Sequence, residues 1–161
     1  EKILSKSITS DELTRVSKEN FSFVWKLYYE MQMPMLLNNK AIIGDLESFH
    51  IWGNCIVNQV LNSKKNDNSE MTKEDYLQKY IFSSDIKGIN AMSISEITGI
   101  PRATVIRKLN RLVRIKFLKV NDKKQYLTTG LHQKKLQEIQ KNNLMNLSKF
   151  AERIYNLSIS I

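Results

Sequence analysis

The sequence contains little cysteine, proline or glycine. Only one cysteine, two prolines and five glycines occur among its 161 residues, which excludes a disulfide scaffold and a collagen-like chain. No apolar run approaches the roughly 18 residues that a transmembrane helix requires. The first residues lack the apolar core of a secretion signal, and the lone Cys55 is typical of a reducing compartment. We therefore expect a soluble cytoplasmic protein that does not contact a membrane.

Patterns that mark catalytic and metal sites are also missing. His50, His132 and Cys55 are the only imidazole and thiol side chains, and their spacing matches no metal-ligand motif. The glycines are isolated, so they form no phosphate-binding loop, and no serine lies in a nucleophile elbow. Asp45 and Glu47 have no evident base beside them. The sequence predicts no enzymatic activity, no metal and no cofactor.

Positive charge is concentrated in one short segment. The chain is 42% hydrophobic, which is enough to form a buried core. Its net charge of +9 needs an explanation of its own. Residues 1–101 carry 11 basic and 13 acidic side chains, whereas residues 102–124 carry nine basic side chains against Asp122 alone. Such a density attracts a polyanion, of which nucleic acid is the commonest. The alternative is a solvated basic face.

Helical patterns precede this segment. Ser10, followed by two acidic residues, predicts the start of a helix over about 11–32, which Pro34 ends or bends. Residues 21–31 are apolar on more than one face, which favours cover from a second subunit. A further helix is expected over about 44–61.

Three more segments complete the flanks. Residues 62–69 are polar and predict an exposed loop, and Thr72 predicts the capped start of an inserted helix near 72–82. Residues 133–157 contain no glycine or proline and have apolar side chains at spacings of three and four, which predicts a long amphipathic helix. Together with the aromatic-rich amino-terminal helix it favours a homodimer. The alternative is that the two helices pack on each other within one subunit.

Residues 93–113 have the pattern of two short helices joined by a tight turn. Residues 93–96, Ser-Ile-Ser-Glu, match a capping box, and Gly99 supplies the permissive backbone that the turn needs. Pro101 stands at the favoured first position of the second helix. The apolar stripe of that helix consists of Val105, Leu109, Leu112 and Val113, and its cations fall mainly off the stripe.

Two β-type runs follow, at 117–120 and 125–128, and the turn composition of 121–124 between them predicts a hairpin. Two helices, a glycine turn and a basic hairpin in this order resemble the winged helix-turn-helix family of DNA-binding domains, in particular the MarR-like and related bacterial regulators. The resemblance covers about a quarter of the chain. The sequence departs from it at Ile106, where a small polar residue is common, and in the inserted helix.

The resemblance implies a mainly α protein with a small β-hairpin wing that binds double-stranded DNA as a homodimer and regulates transcription. Its expected location is therefore the nucleoid within the cytoplasm. It implies an amino-terminal dimerisation region at 1–43, a winged domain at 44–130 and a carboxy-terminal dimerisation helix at 131–161. The second helix of the motif would enter the major groove. The implied DNA-binding residues are Arg102, Thr104, Arg107, Lys108, Arg111, Lys123 and Lys124. Arg102 and Arg107 are the expected base or phosphate contacts, and the lysines and Arg111 are expected on phosphates. Thr104 is expected to meet a phosphate or a thymine methyl group.

Several alternatives stay open. Arg114 and Lys116 are equally consistent with solvated charges at a helix end. Ile106 is expected in the core rather than against a thymine, because apolar residues at helical spacing usually pack. The aromatic and methionine side chains of 25–35, together with Trp52, are expected in the core or an interface, and an apolar effector pocket is the weaker alternative. The whole domain could instead dock an acidic protein partner.

Overall fold

The computed structural model describes residues 7–62, 72–79 and 86–159. Its described elements are α1 (Ser10–Glu19), α2 (Phe21–Ile43), α3 (Leu46–Asn62), α4 (Lys73–Leu77), α5 (Ala91–Thr98), α6 (Arg102–Arg114), β1 (Leu118–Val120), β2 (Tyr126–Thr128) and α7 (Gln133–Ile159). The described chain is therefore mainly helical with a small antiparallel hairpin, as predicted. Most of the predicted loop at 62–69 and the end of the predicted helix at 72–82 lie outside the described residues.

The cap of α1 differs from the prediction by one residue. Thr9, not Ser10, is the N-cap: its hydroxyl accepts a hydrogen bond from the backbone N–H of Glu12 at 3.2 Å. The carboxylate of Glu12 accepts in return from the backbone N–H of Thr9 at 2.9 Å. This reciprocal capping box satisfies two amide donors, whereas a cap at Ser10 would lack the matching acid three residues later.

The predicted single helix over 11–32 is in fact two helices. α1 ends before Asn20, whose side-chain amide donates to the carbonyl oxygen of Val16 at 3.0 Å. Pro34 lies inside α2, which continues to Ile43, so of the two predicted effects of this proline, an end or a bend of the helix, the first is wrong. Proline removes one backbone donor from a helix of 23 residues, and buried Leu27 and Ile43 hold the helix before and after that position.

The described residues form two units. One unit combines the residues up to Asn38 with those from Gln137 onwards, and it buries Val16, Leu27 and Ile154. The other is a central unit of residues 39–136. Side chains from the end of α2 and from α3, α5, α6 and β1 contribute to the core of the central unit. Its most deeply buried members are Ile43, Ile51, Cys55, Ile94, Val105, Leu109, Leu112 and Leu118.

Both helices of the two-helix pattern differ from the prediction at their first residues: α5 begins earlier than predicted, and α6 begins one residue later. Asn90 is the N-cap of α5 and accepts from the backbone N–H of Ser93 at 2.9 Å, so the predicted capping box at 93–96 is wrong. Asn90 thereby begins a helix of eight residues in which Ile94 is fully buried. Gly99 ends α5 in the left-handed region, with φ +69°, as its predicted role in the turn requires. Pro101 is the N-cap of α6 rather than its first residue.

The hairpin follows the prediction and is anchored from α3. β1 and β2 pair antiparallel, with Leu118 opposite Thr128. The buried side-chain oxygen of Gln59 accepts from the backbone N–H of Thr128 at 2.6 Å and from its hydroxyl at 2.8 Å. The side-chain oxygen of Asn121 accepts from the backbone N–H groups of Lys123 and Gln125, which closes the turn.

Two glycines give opposite expectations for stability. A Cβ at Gly88 would lie 2.8 Å from the carbonyl oxygen of Tyr126, whereas a Cβ at Gly53, inside α3, meets nothing within 4 Å. We expect Gly88→Ala to lower the free energy of unfolding by about 1–3 kcal/mol through overpacking. Gly53→Ala should raise it by roughly 0.5–1 kcal/mol through helix propensity. Urea denaturation measures both, and equal effects would contradict the close packing of Gly88 on β2.

Candidate nucleic-acid interface

α6 is anchored by one face and exposes the opposite face. Val105, Leu109 and Leu112 have no accessible surface and lie in the core of the central unit. Residues three and four positions apart on a helix share a face, so the exposed side chains of α6 also fall into one group. We call this group the outer face; it consists of Arg102, Ala103, Ile106, Arg107, Asn110 and Arg114, all exposed.

Four of the predicted DNA-binding residues are exposed cations. Arg102 and Arg107 lie in the first two turns of α6, and Lys123 and Lys124 lie at the tip of the hairpin. Within the ranges that the structure describes, none of the four forms an ion pair. Thr104 is half-buried at the edge of the outer face. A polyanion could reach the four cations without first displacing an internal carboxylate from them.

The position of Ile106 differs from the expectation. It was expected in the core, but 37% of its surface is exposed. The reason is geometric: Val105, Leu109 and Leu112 already complete the buried stripe, and Ile106 is turned by 100° from its neighbour Val105. Ala103 and Asn110 share the outer face although neither is among the predicted DNA-binding residues. Their spacing of four and three from Arg107 is the signal in the sequence that places them there.

Lys108 is not on the outer face. Its Nζ lies 2.6 Å from Oδ1 of Asp45 and 3.1 Å from Oε2 of Glu47, and only 9% of its side chain is exposed. The expectation that Lys108 stands with the solvent-facing cations is therefore wrong. Lys108 follows Val105 by three residues and precedes Leu112 by four, so it lies on the buried side, and its long side chain carries the charge to the beginning of α3.

Arg111 is held at the same place. Its Nη1 donates to the carbonyl oxygen of Ile43 at 2.7 Å and lies 3.7 Å from Oδ2 of Asp45. The guanidinium covers Gly44, where φ is +103° and where any Cβ would overlap it. Arg111 keeps 37% of its side chain exposed, so it is only partly available to a ligand. We call Ile43, Gly44, Asp45, Glu47, Lys108 and Arg111 the corner cluster.

The two acids of the corner cluster, Asp45 and Glu47, have partners that the sequence does not indicate. Asp45 precedes α3 and accepts from the backbone N–H and the hydroxyl of Ser48, both at 2.8 Å. The sequence places no evident base beside Asp45 and Glu47, but the fold brings Lys108 to both. Because the partners are 61 and 63 residues apart, no local pattern in the sequence could have paired them.

Charges in the corner cluster stabilise one another. Burial by itself would raise the pKa of Asp45, but hydrogen bonds from Lys108 and Ser48, together with the charge of Lys108, outweigh it and lower this pKa to about 2. Burial likewise would lower the pKa of Lys108, but the two carboxylates outweigh it and raise the pKa above its usual value. Asp45 therefore stabilises the fold fully above pH 3.8, and this contribution is lost as the pH falls towards 2.

The side chains of Cys55 and His132 are packed within the fold. Burial raises the pKa of the Cys55 thiol to about 12, so it stays protonated and unreactive. The Nε2–H of His132 donates to the carbonyl oxygen of Ile115 at 2.8 Å, and its ring stacks on Phe117. Among residues 7–62, 72–79 and 86–159, no group of three or more histidine, cysteine or acidic residues is placed to hold a metal ion.

Two further results bear on function. No helix in the described part of the chain is long and apolar enough to cross a membrane. Comparison of the chain with protein-family models, with curated proteins and with solved structures finds no match.

The corner cluster predicts a stability change with a distinct pH dependence. Lys108→Met should lower the free energy of unfolding by about 1–2 kcal/mol at pH 7, because Asp45 and Glu47 lose a partner but stay partly hydrated. The variant should also lose less stability than the parent between pH 4 and pH 2. Urea denaturation across this range measures both effects.

Lys119→Met is the matched control, because Lys119 is an exposed cation on β1. Its stability and pH profile should follow those of the parent protein. A Lys108→Met variant that behaves like this control would contradict the role of the corner cluster.

Proposed function

We propose that this protein binds double-stranded DNA in a sequence-specific manner through a winged helix-turn-helix domain and regulates transcription. α6 would lie in the major groove, with its amino-terminal turns nearest the bases, and the hairpin would contact the backbone. The observation that carries the proposal is the outer face: Arg102 and Arg107 are exposed, and neither has an ion-pair partner among the described residues, on a helix whose other face is fixed in the core. An exposed guanidinium on a helix fixed in this way can donate two hydrogen bonds to a guanine or a phosphate.

Two lysines support the proposal through their backbone conformation. Lys116, after α6, has φ +62°, and Lys124, at the hairpin tip, has φ +55°. Glycine or asparagine adopts this left-handed region at lower cost than lysine does. Both lysines are exposed, so packing does not explain them. Cations at two conformationally unfavourable positions are consistent with a requirement for charge there.

Exposed aromatic side chains on α2 support a homodimer. Phe21, Trp25 and Tyr29 follow one another at intervals of four, and 61%, 46% and 46% of their surfaces are exposed. Trp25 stacks on Phe21 with ring centroids 5.5 Å apart. A continuous aromatic strip of this kind marks an interaction surface, and we propose that a second copy of the chain covers it. A two-fold dimer would present two copies of α6 to half-sites about one helical turn, roughly 34 Å, apart.

The salt dependence of binding tests the proposal against its rival. We expect the protein to bind random duplex DNA and to lose about a thousandfold or more in affinity between 50 and 200 mM salt, as contact with six or more phosphates requires. Fluorescence anisotropy of a labelled duplex measures this slope. An absent or salt-insensitive affinity would contradict DNA binding and favour a module that docks an acidic protein.

Arg107→Ala tests the outer face directly. The substitution should weaken binding to a selected duplex by about 1–3 kcal/mol and relax its base preference, because it removes a side chain nearest the bases. It should leave the free energy of unfolding nearly unchanged, since Arg107 is exposed and has no ion pair among the described residues. Lys141→Ala, which removes an exposed cation of α7, is the control and should change neither quantity. Equal effects of the two substitutions on binding would remove Arg107 from the interface.

Lys124→Gly separates binding from stability. Glycine suits the left-handed backbone, so the free energy of unfolding should stay the same or rise by up to about 1 kcal/mol. The affinity for duplex DNA should fall, and the salt slope should decrease by about one phosphate contact. Lys123→Ala, one residue away, should lower affinity without raising stability. Unchanged affinity in both variants would place the hairpin tip outside the interface.

A further inference from the structure

The outer face carries apolar as well as cationic side chains. Ile106 exposes 37% of its surface, and Ala103, which is exposed as well, lies one turn before it. One exposed isoleucine on a protein surface is ordinary. The position of this one is what singles it out, because it lies beside Arg107 and one turn from Arg102, on the face that we propose contacts DNA.

Ile106 offers a fixed apolar surface rather than a mobile one. A β-branched side chain in a helix has essentially one rotamer at χ1, so its methyl groups point in a defined direction. The core behind it is filled by Val105 and Leu109, which have no accessible surface, so Ile106 has no place to turn inward. A face built only to attract phosphates would not need such a side chain at its centre.

The major groove contains one kind of group that matches an exposed apolar side chain. The C5-methyl of thymine is the only methyl group that the bases of an unmodified duplex present there. From this complementarity, and resting on the proposed function, we infer that Ile106 and Ala103 pack against thymine methyl groups. α6 thereby selects A·T pairs at the positions that these side chains reach, while Arg102 and Arg107 bind on either side.

The inference predicts a specific effect of removing single methyl groups. Duplexes that bind the full chain are first selected from a random library, and each thymine of a selected duplex is then replaced by deoxyuridine, which lacks only the methyl group. We expect one or two positions per half-site at which this replacement weakens binding about three- to fivefold, the effect of losing one buried methyl group. Replacement at the other thymines should have little effect.

Variants of Ile106 assign that effect to its side chain. Ile106→Ala should bind the thymine duplex more weakly and should no longer distinguish it from the deoxyuridine duplex. Ile106→Val, which keeps the branched surface, should retain most of the discrimination. Arg107→Ala is the matched control: it should weaken binding to both duplexes alike and keep the ratio between them, because the preference that it removes is for the base that Arg107 itself contacts. Circular dichroism and urea denaturation verify that the Ile106 variants are folded, as the exposure of this residue leads us to expect.

The outcomes separate this inference from the proposed function. If no duplex is enriched and binding to duplex DNA does not depend on salt, the proposed function fails and the inference fails with it. If salt-dependent, selective binding occurs but every deoxyuridine replacement is neutral, the inference alone is overturned. A methyl effect that persists in full in Ile106→Ala also overturns it. A set of selected duplexes whose shared sequence contains no thymine overturns it as well.

Discussion

The orientation of α6 depends on the burial of three side chains. Val105, Leu109 and Leu112 have no contact with solvent, and their removal from water fixes the rotation of the helix about its own axis. That rotation decides which side chains reach the surface. Arg102 and Arg107 lie outward because the apolar stripe lies inward, and the same rotation sends Lys108 towards the acids at the beginning of α3.

Cations of one short segment therefore have two different roles. Lys108 and Arg111 are bound by Asp45, Glu47 and the carbonyl oxygen of Ile43, and they tie α6 to the corner between α2 and α3. The exposed arginines of the outer face have no carboxylate partner within the described ranges. A high net charge predicts an affinity for polyanions, but only the contacts decide which of the charges serve the fold and which are available to a ligand.

The sequence predicted those features that local patterns control. Gly99 and the turn at 121–124 predicted the helix-helix turn and the hairpin, because both depend on the conformations of a few neighbouring residues. The partners of Lys108 were missed because Asp45 lies 63 residues away in the chain. Ile106 was misplaced because periodicity alone does not tell where a buried stripe ends. The helix caps at Thr9 and Asn90 were missed because several neighbouring residues can serve as caps.

The outer face of α6 is the surface that we propose meets DNA. Backbone amide chemical shifts, recorded while a selected short duplex is added to the full chain, test this residue by residue. We predict that the largest changes fall on the first two turns of α6, from Arg102 to Asn110, and on the hairpin tip around Lys123 and Lys124. Changes confined to other parts of the chain, or no changes at a concentration where salt-dependent binding is complete, would contradict it.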